Sequence, residues 1–130
     1  MNYTARHSYY VRRTCQWLEG IGYRSDKVET NYCIQVAGRS VFVKRDFWGA
    51  DIAARCRTSM AFIQIKTGRN QVNKGVSQLS SDNDWPPGVG RYVIWWDKGE
   101  RLSVGPNVWA VSEGACQKIR DAAKTYRVHG

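Results

Sequence analysis

The chain has 130 residues, of which 42% are hydrophobic and 24% charged, which predicts one ordinary globular domain over residues 1–130. Twenty Lys and Arg against eleven Asp and Glu give a net charge of +9, which favours a polyanionic partner. The sequence lacks an apolar leader, a membrane-length apolar run and any C-x-x-C pair, so we expect a cytoplasmic protein with reduced thiols and no membrane or structural zinc site.

The first half of the chain predicts a helix followed by strands. Apolar residues at helical spacing cover 8–19, and Gly20 and Gly22 end that helix. Alternating β-branched and aromatic residues then predict strands, a hairpin first and two more strands after it, at 32–36, 41–43, 50–55 and 61–66.

The second half predicts a helix, a long strand, two short strands and a last helix. The first four of these lie at 73–81, 91–96, 102–104 and 108–111. Ser112 suits the N-cap of the last helix. Its buried face consists of Ala115, Ile119, Ala122 and Tyr126. Strands grouped between helices predict the α/β class (α+β layered), with helices flanking a central mixed sheet.

The candidate chemistry lies on the strands at 50–55 and 61–66. Side chains alternate across a strand, so Gln64 and Lys66 share a face, and an antiparallel turn near residue 57 places Asp51 across from Gln64. A carboxylate and an amide oxygen can hold Mg²⁺, while the lysine stabilises charge developing on a phosphate. Each residue taken alone also has a purely structural interpretation: Asp51 as a carboxylate in a turn or at the end of the sheet, and Lys66 as a solvated residue at the end of a strand.

The pattern Gly-Ala-Asp-Ile-Ala, a turn, then Phe-Ile-Gln-Ile-Lys-Thr-Gly resembles the PD-(D/E)XK nuclease superfamily, the restriction-endonuclease-like fold that includes Holliday-junction resolvases. The resemblance covers about residues 44–68. It implies that fold, an Mg²⁺- or Mn²⁺-dependent endonuclease acting on DNA, and Lys66 as the catalytic lysine. It also implies a metal site formed by Asp51, the Gln64 side chain and the main-chain carbonyl of Ile65.

Two departures from the family pattern limit this hypothesis. Gln64 stands where the family usually has Glu or Asp, which removes a negative charge and predicts weaker metal binding. The first helix has no acid near Tyr9 and Tyr10, where resolvase-like members often place one, and Glu19 comes near the helix end. Two alternatives therefore stay open: a catalytically inactive nucleic-acid-binding domain on the same fold, and a small protein–protein interaction module.

Further residues are candidates for support or substrate binding. Asp46 fits a second metal ligand or a turn-capping carboxylate, and Gln78 fits a polar contact near the substrate. Basic residues that flank the motif are expected to hold the backbone of DNA, or of RNA: Lys44, Arg45, Arg69 and Lys74. Because cutting two strands commonly requires two active sites, a homodimer is also expected.

Overall fold

A computed structural model describes residues 3–28, 30–45, 49–80, 85–86 and 88–129. At residues 3, 30–34, 36 and 41–45 it describes the backbone but not the side chains. The helices are α1 (Tyr3–Gly20), α2 (Val72–Ser80) and α3 (Gln117–Ala122). The strands are β1 (Arg24–Lys27), β2 (Thr30–Val36), β3 (Arg39–Arg45), β4 (Ile52–Arg55), β5 (Met60–Ile65), β6 (Val89–Trp95), β7 (Asn107–Ser112) and β8 (Thr125–Val128). A short 3₁₀ turn, Arg69–Gln71, precedes α2. The predicted α/β class is confirmed.

The central sheet is mixed and has six strands in the order β1-β4-β5-β6-β7-β8. β4 and β5 are antiparallel, β5 and β6 are parallel, and β8 joins β7 in parallel. The predicted hairpin forms as β2 and β3, but it is a separate two-stranded sheet. The strand that pairs with β4 in the central sheet is β1, whose mostly polar, exposed residues carry no apolar alternation that would have predicted a strand.

The strand β5 is buried on both faces because helices cover each side of the sheet. Ile63 and Ile65 belong to the larger apolar cluster, which includes residues of α1 and α3. Phe62, on the opposite face, belongs to a second cluster with Val72 and Val76 of α2. A strand covered in this way is positioned rigidly, so side chains at its end are held in fixed directions.

The helix α1 begins at Tyr3, five residues before the predicted start. Its buried stripe runs through His7, Val11, Thr14 and Leu18, a spacing of four, three and four residues. Thr14 is satisfied within the core, since its hydroxyl accepts a hydrogen bond from the Trp96 indole at 3.0 Å. The earlier start brings His7 into the folded helix.

Three predictions for the C-terminal part are wrong. Residues 102–104 form an exposed turn and not a strand. Ser112 ends β7, and the last helix begins only after Cys116, because Gly114 has a positive φ of 57° that interrupts helical geometry. Tyr126 lies in β8, since the chain after α3 hydrogen-bonds to the free edge of β7.

Two further features of the described residues are the character of the helices and the state of the cysteines. In the described part of the chain, no helix combines the length and apolar character that crossing a bilayer requires. The thiols of Cys15, Cys56 and Cys116 are free. Cys116 is buried and the other two are half-buried, so reduced cysteines here contribute to packing.

Candidate active site

Asp51 lies directly before β4, at the point where the chain joins the central sheet. Its amide donates a hydrogen bond of 2.8 Å to the Ile63 carbonyl. The β4–β5 register begins with Ile52 paired to Ile63, so Asp51, whose amide bonds to that same Ile63, lies at the start of this pairing. The preceding Gly49 has a φ of +80° and lies against the Gln78 carbonyl of α2, where a Cβ would collide. The turn before Asp51 therefore needs glycine at this position.

The Asp51 carboxylate is fully buried and held by two hydrogen bonds to the same oxygen. Its Oδ2 accepts from the Ile65 amide at 2.9 Å and lies 3.1 Å from His7 Nε2. An ionised carboxylate only accepts, so with Asp51 ionised the histidine Nε2–H is the donor in this contact. Bonds to an ionised group are stronger than neutral ones and fix the direction of the carboxylate at the end of β5.

Gln64 is 2% exposed and faces the α2 side of the sheet, as Phe62 does two residues earlier. Its Oε1 has no hydrogen-bond partner among the described residues. A buried polar atom without a partner costs about 1–3 kcal/mol, and a bound ion is one of the circumstances that account for such an atom. The amide oxygen is therefore available as a ligand.

Lys66 follows β5 immediately, and its side chain is buried rather than solvated, with 3% exposure. Its amide donates to the Ile94 carbonyl at 3.0 Å, which continues the β5–β6 pairing. The Lys66 Cε lies 3.3 Å from where a Cβ at Gly75 would stand. The lysine is thus enclosed between the sheet and α2, and the missing side chain at Gly75 makes room for it.

The main-chain carbonyl of Ile65 completes the set of oxygen donors. In a strand the carbonyl and the amide of one residue point to the same side. Because the Ile65 amide bonds to Asp51, its carbonyl also points toward Asp51. Oxygen ligands of this kind suit a hard cation such as Mg²⁺. Within the described ranges no three His, Cys, Asp or Glu residues are grouped for a metal.

His7 is the site residue that the sequence analysis missed. The family pattern directed attention to an acid in the first helix, and the predicted helix began after position 7. Extending the buried stripe backward from Leu18 through Thr14 and Val11 reaches His7 at helical spacing, a signal that could have found it. Glu19 is exposed and lines a different cavity with Arg24 and Asp26.

The other predicted residues lie at varied distances from this centre. Asp46 lies outside the described residues, as do the side chains of Lys44 and Arg45, whose backbone is in β3. Gln78 is half-buried on α2, and its carbonyl contacts the turn that leads to Asp51. Two of the predicted basic residues are exposed beyond the end of β5: Arg69 in the 3₁₀ turn and Lys74 on α2.

Comparison with known proteins yields no match, neither to a family model nor to a curated protein nor to a solved structure. The functional argument consequently depends on the residues themselves. At one end of β5, the Asp51 carboxylate, the Gln64 amide oxygen and the Lys66 ammonium group are all withdrawn from solvent. Electrostatic interactions in such an environment are stronger than in water.

Proposed function

We propose that this protein is a cytoplasmic, Mg²⁺- or Mn²⁺-dependent nuclease with a restriction-endonuclease-like fold that hydrolyses phosphodiester bonds in DNA. The observation that carries the proposal is the Asp51–Ile65 hydrogen bond of 2.9 Å, which holds a buried carboxylate at the end of β5, the strand that carries Gln64 and leads into Lys66. One acidic group, one amide oxygen and one ammonium group at a strand end are what metal-assisted phosphoryl transfer needs.

The donor set fits a hard divalent cation. Asp51 would supply the negative charge, while the Oε1 of Gln64, which has no partner in the described part of the chain, and the Ile65 carbonyl would supply neutral oxygens. When bound, Mg²⁺ polarises a phosphate oxygen and lowers the pKa of a coordinated water. His7 and the Ile65 amide keep the carboxylate oriented, which lowers the reorganisation needed when a ligand arrives.

Lys66 is proposed to act on the phosphate directly. Its ammonium group stabilises the negative charge that develops as a water oxygen bonds to phosphorus and the opposite ester bond breaks. The attacking water gives up one proton to solvent, the departing 3′ oxygen takes one up from solvent, and a 5′-phosphate remains on the product. The net charge of +9, with Arg69 and Lys74 exposed beyond β5, supports binding of the polyanionic substrate.

The decisive experiment is cleavage of labelled linear, single-stranded and branched DNA in Mg²⁺ or Mn²⁺. We expect Asp51→Asn and Lys66→Met, which nearly preserve side-chain volume, each to lower the rate about a hundredfold or more. Asp26→Asn and Lys118→Met make the same changes at exposed positions and should leave the rate unchanged. Cleavage that persists in both site variants would refute the proposal.

A specific observation favours a second candidate, a catalytically inactive nucleic-acid-binding domain. Gln64 is neutral, and Oδ2 of Asp51 already accepts hydrogen bonds from His7 and the Ile65 amide. This candidate predicts DNA binding in EDTA that Asp51→Asn does not alter, with no cutting by the native chain. Gln64→Glu then tests whether one added carboxylate restores metal-dependent cleavage. Absence of both binding and cutting at moderate salt would instead indicate the protein–protein module.

The oligomeric state is a separate part of the proposal. Cutting both strands of a duplex commonly requires two active sites, so we propose a homodimer on DNA. Sedimentation velocity with and without a duplex oligonucleotide in EDTA measures this. A complex containing one copy per duplex would contradict the dimer and leave single-strand cleavage as the activity.

A further inference from the structure

The helix α2 covers only part of its face of the sheet, and beside it lies a cavity of about 210 Å³ at β6, β7 and β8. Aromatic and basic side chains line it: Trp95, Trp109, Arg69 and Arg127. The volume equals roughly seven waters at about 30 Å³ each, which is room for one flat ring system and too little for a base pair.

The cavity opens on the same face of the sheet as Gln64 and Lys66. The Lys66 amide bonds to Ile94, so Trp95 on β6 is its neighbour across the strand pair. Trp95 pairs with Asn107 on β7, and Trp109 pairs with Arg127 on β8. Neighbouring strands are about 4.8 Å apart, and β7 is the second strand from β5, so Trp109 lies about 10 Å from β5, the strand that Lys66 follows. The next nucleotides of a strand bound at Lys66 can reach this distance.

The polar atoms of the cavity show which group is available to a ligand. Both polar side-chain atoms of Asn107 already have a partner, since its Nδ2 donates to the Trp95 carbonyl at 3.3 Å and its Oδ1 accepts from Thr125 at 2.8 Å. The Trp109 Nε1, although buried, has no partner among the described residues. The indole N–H is a donor only, so its natural partner is an acceptor atom on a bound molecule.

The charges around the cavity favour an anionic ligand with an aromatic group. Arg69 and Arg127 are both exposed. The acidic lining residue, Asp97, accepts a hydrogen bond from Lys124 at 2.8 Å, which lowers the pKa of its carboxyl group. Lys124 also pairs with Glu100, so it offsets the charge of Asp97 only in part, and the two arginines outnumber this one lining acid. A base stacked on an aromatic ring with arginines beside its phosphates is the usual arrangement in single-strand binding.

We propose that this cavity receives one unpaired nucleobase of the strand whose phosphate lies at Lys66. The base stacks on tryptophan, the Trp109 N–H donates to a base acceptor, and Arg69 and Arg127 contact the flanking phosphates. The inference rests on the proposed nuclease function and specifies its substrate class: DNA with a single-stranded segment or a branch, rather than a fully paired duplex.

The test is binding in EDTA, measured by anisotropy with a labelled single-stranded oligonucleotide and with a blunt, fully paired hairpin. We expect the native chain to bind the single strand more tightly, and tryptophan fluorescence to fall on binding. Arg127→Ala should weaken single-strand binding about tenfold, and Trp109→Phe, which keeps a ring and loses the N–H, should weaken it several-fold. Both variants should change hairpin affinity less than twofold.

Arg57→Ala is the matched control for charge. Arg57 is exposed in the turn between β4 and β5, at the other end of the sheet from Lys66, so its loss should affect both probes little. Equal weakening by Arg57→Ala and Arg127→Ala, or full single-strand affinity in Trp109→Phe, would overturn the cavity assignment. Because binding in EDTA requires no cleavage, this result is separate from failure of the nuclease proposal, which would appear as binding without cutting.

Discussion

At the scale of single residues, the partners of Asp51 among the described residues include one from the main chain and one from a helix. The Ile65 amide is local to the β4–β5 pair, whereas His7 comes from α1 and lies 44 positions away in the chain. A hydrogen bond to a charged group contributes about 1.5–3 kcal/mol, and more is lost when a buried charge keeps too few partners. His7 therefore couples the position of α1 to the orientation of the carboxylate.

We expect His7→Ala to lower the free energy of unfolding by about 1.5–3 kcal/mol, because it leaves the buried Asp51 carboxylate with one donor fewer. When Asp51→Asn is already present, His7→Ala should lower the free energy of unfolding by a smaller amount than it does in the native chain, the difference being about 0.5 kcal/mol or more, because the two residues are in contact. Urea denaturation of the four proteins measures this coupling. His129→Ala, at an exposed position, is the control, and additive effects would contradict a direct interaction.

Cys56 is predicted to be the most reactive of the cysteines whose side chains the structure describes. Burial alone raises the pKa of its thiol, but hydrogen bonds from Ser59 and Thr58 outweigh burial and lower that pKa to about 6. The thiolate, which is the reactive form, then predominates at pH 7 and falls about tenfold by pH 5. Burial raises the pKa of Cys15 above its ordinary value, so Cys15 should react slowly.

Alkylation by iodoacetamide at pH 7 and pH 5, followed by mass spectrometry of peptides, measures the relative rates at which Cys56 and Cys15 are modified. Ser59→Ala removes a hydrogen bond of 3.1 Å to the Cys56 sulfur and should slow modification of Cys56 at pH 7. Equal rates at Cys56 and Cys15 would show that the hydrogen bonds do not stabilise the thiolate.

At the scale of elements, two glycines allow α2 to approach the active site. Gly49 lies against the Gln78 carbonyl, and Gly75 lies against Val93 and Lys66. A Cβ at position 75 would stand 2.9 Å from Val93 Cγ1, closer than side chains normally approach. A glycine inside a helix costs about 1 kcal/mol relative to alanine, so its presence here reflects packing and not helix propensity.

We therefore expect Gly75→Ala to destabilise the protein by about 1–2 kcal/mol, because overpacking against Val93 exceeds the gain in helix propensity. Gly20→Ala is the matched control, since nothing lies within 4 Å of a Cβ at Gly20, and it should be neutral or stabilising by a few tenths of a kcal/mol. Thermal and urea denaturation of both variants measure these changes in the free energy of unfolding. A Gly75→Ala protein more stable than the native one would show that α2 can shift without cost.

At the scale of the whole molecule, the net charge of +9 predicts that DNA binding depends strongly on salt. If about five phosphates are neutralised on a duplex, the logarithm of the binding constant should fall with a slope of roughly −4.5 against the logarithm of salt concentration. Lys74→Ala should reduce this slope by about 0.9, because Lys74 is exposed beside the site. Lys118→Ala, on α3 across the sheet, should leave it unchanged.

Anisotropy titrations between 50 and 200 mM salt give these slopes. A slope near zero for the native chain would contradict a phosphate-bound interface and favour the protein-partner hypothesis. Equal reductions for Lys74→Ala and Lys118→Ala would show that binding follows total charge and not the face that carries Lys66.

The elements with a strong hydrophobic period were predictable, and those formed by long-range pairing were not. The helix α1 and the strands β5 and β6 follow from apolar spacing within short windows. β1 and β8 were missed because they are short, mostly exposed strands. They form by backbone hydrogen bonding to a strand whose edge would otherwise be unpaired. The expected strand at 102–104 is an exposed turn, so a short apolar run did not by itself produce a strand.

For the candidate site, the sequence by itself determined that Gln64 and Lys66 lie on one face and that the segment following Asp51 pairs with the strand that carries Gln64. Strand periodicity and a short hairpin settle those relations within a few residues of chain. Only the tertiary structure decided that His7 reaches Asp51, that α2 closes over Lys66 at Gly75, and that a tryptophan- and arginine-lined cavity stands two strands away. These contacts join segments far apart in the chain, and their geometry depends on how helices and strands pack, which local residue patterns do not encode.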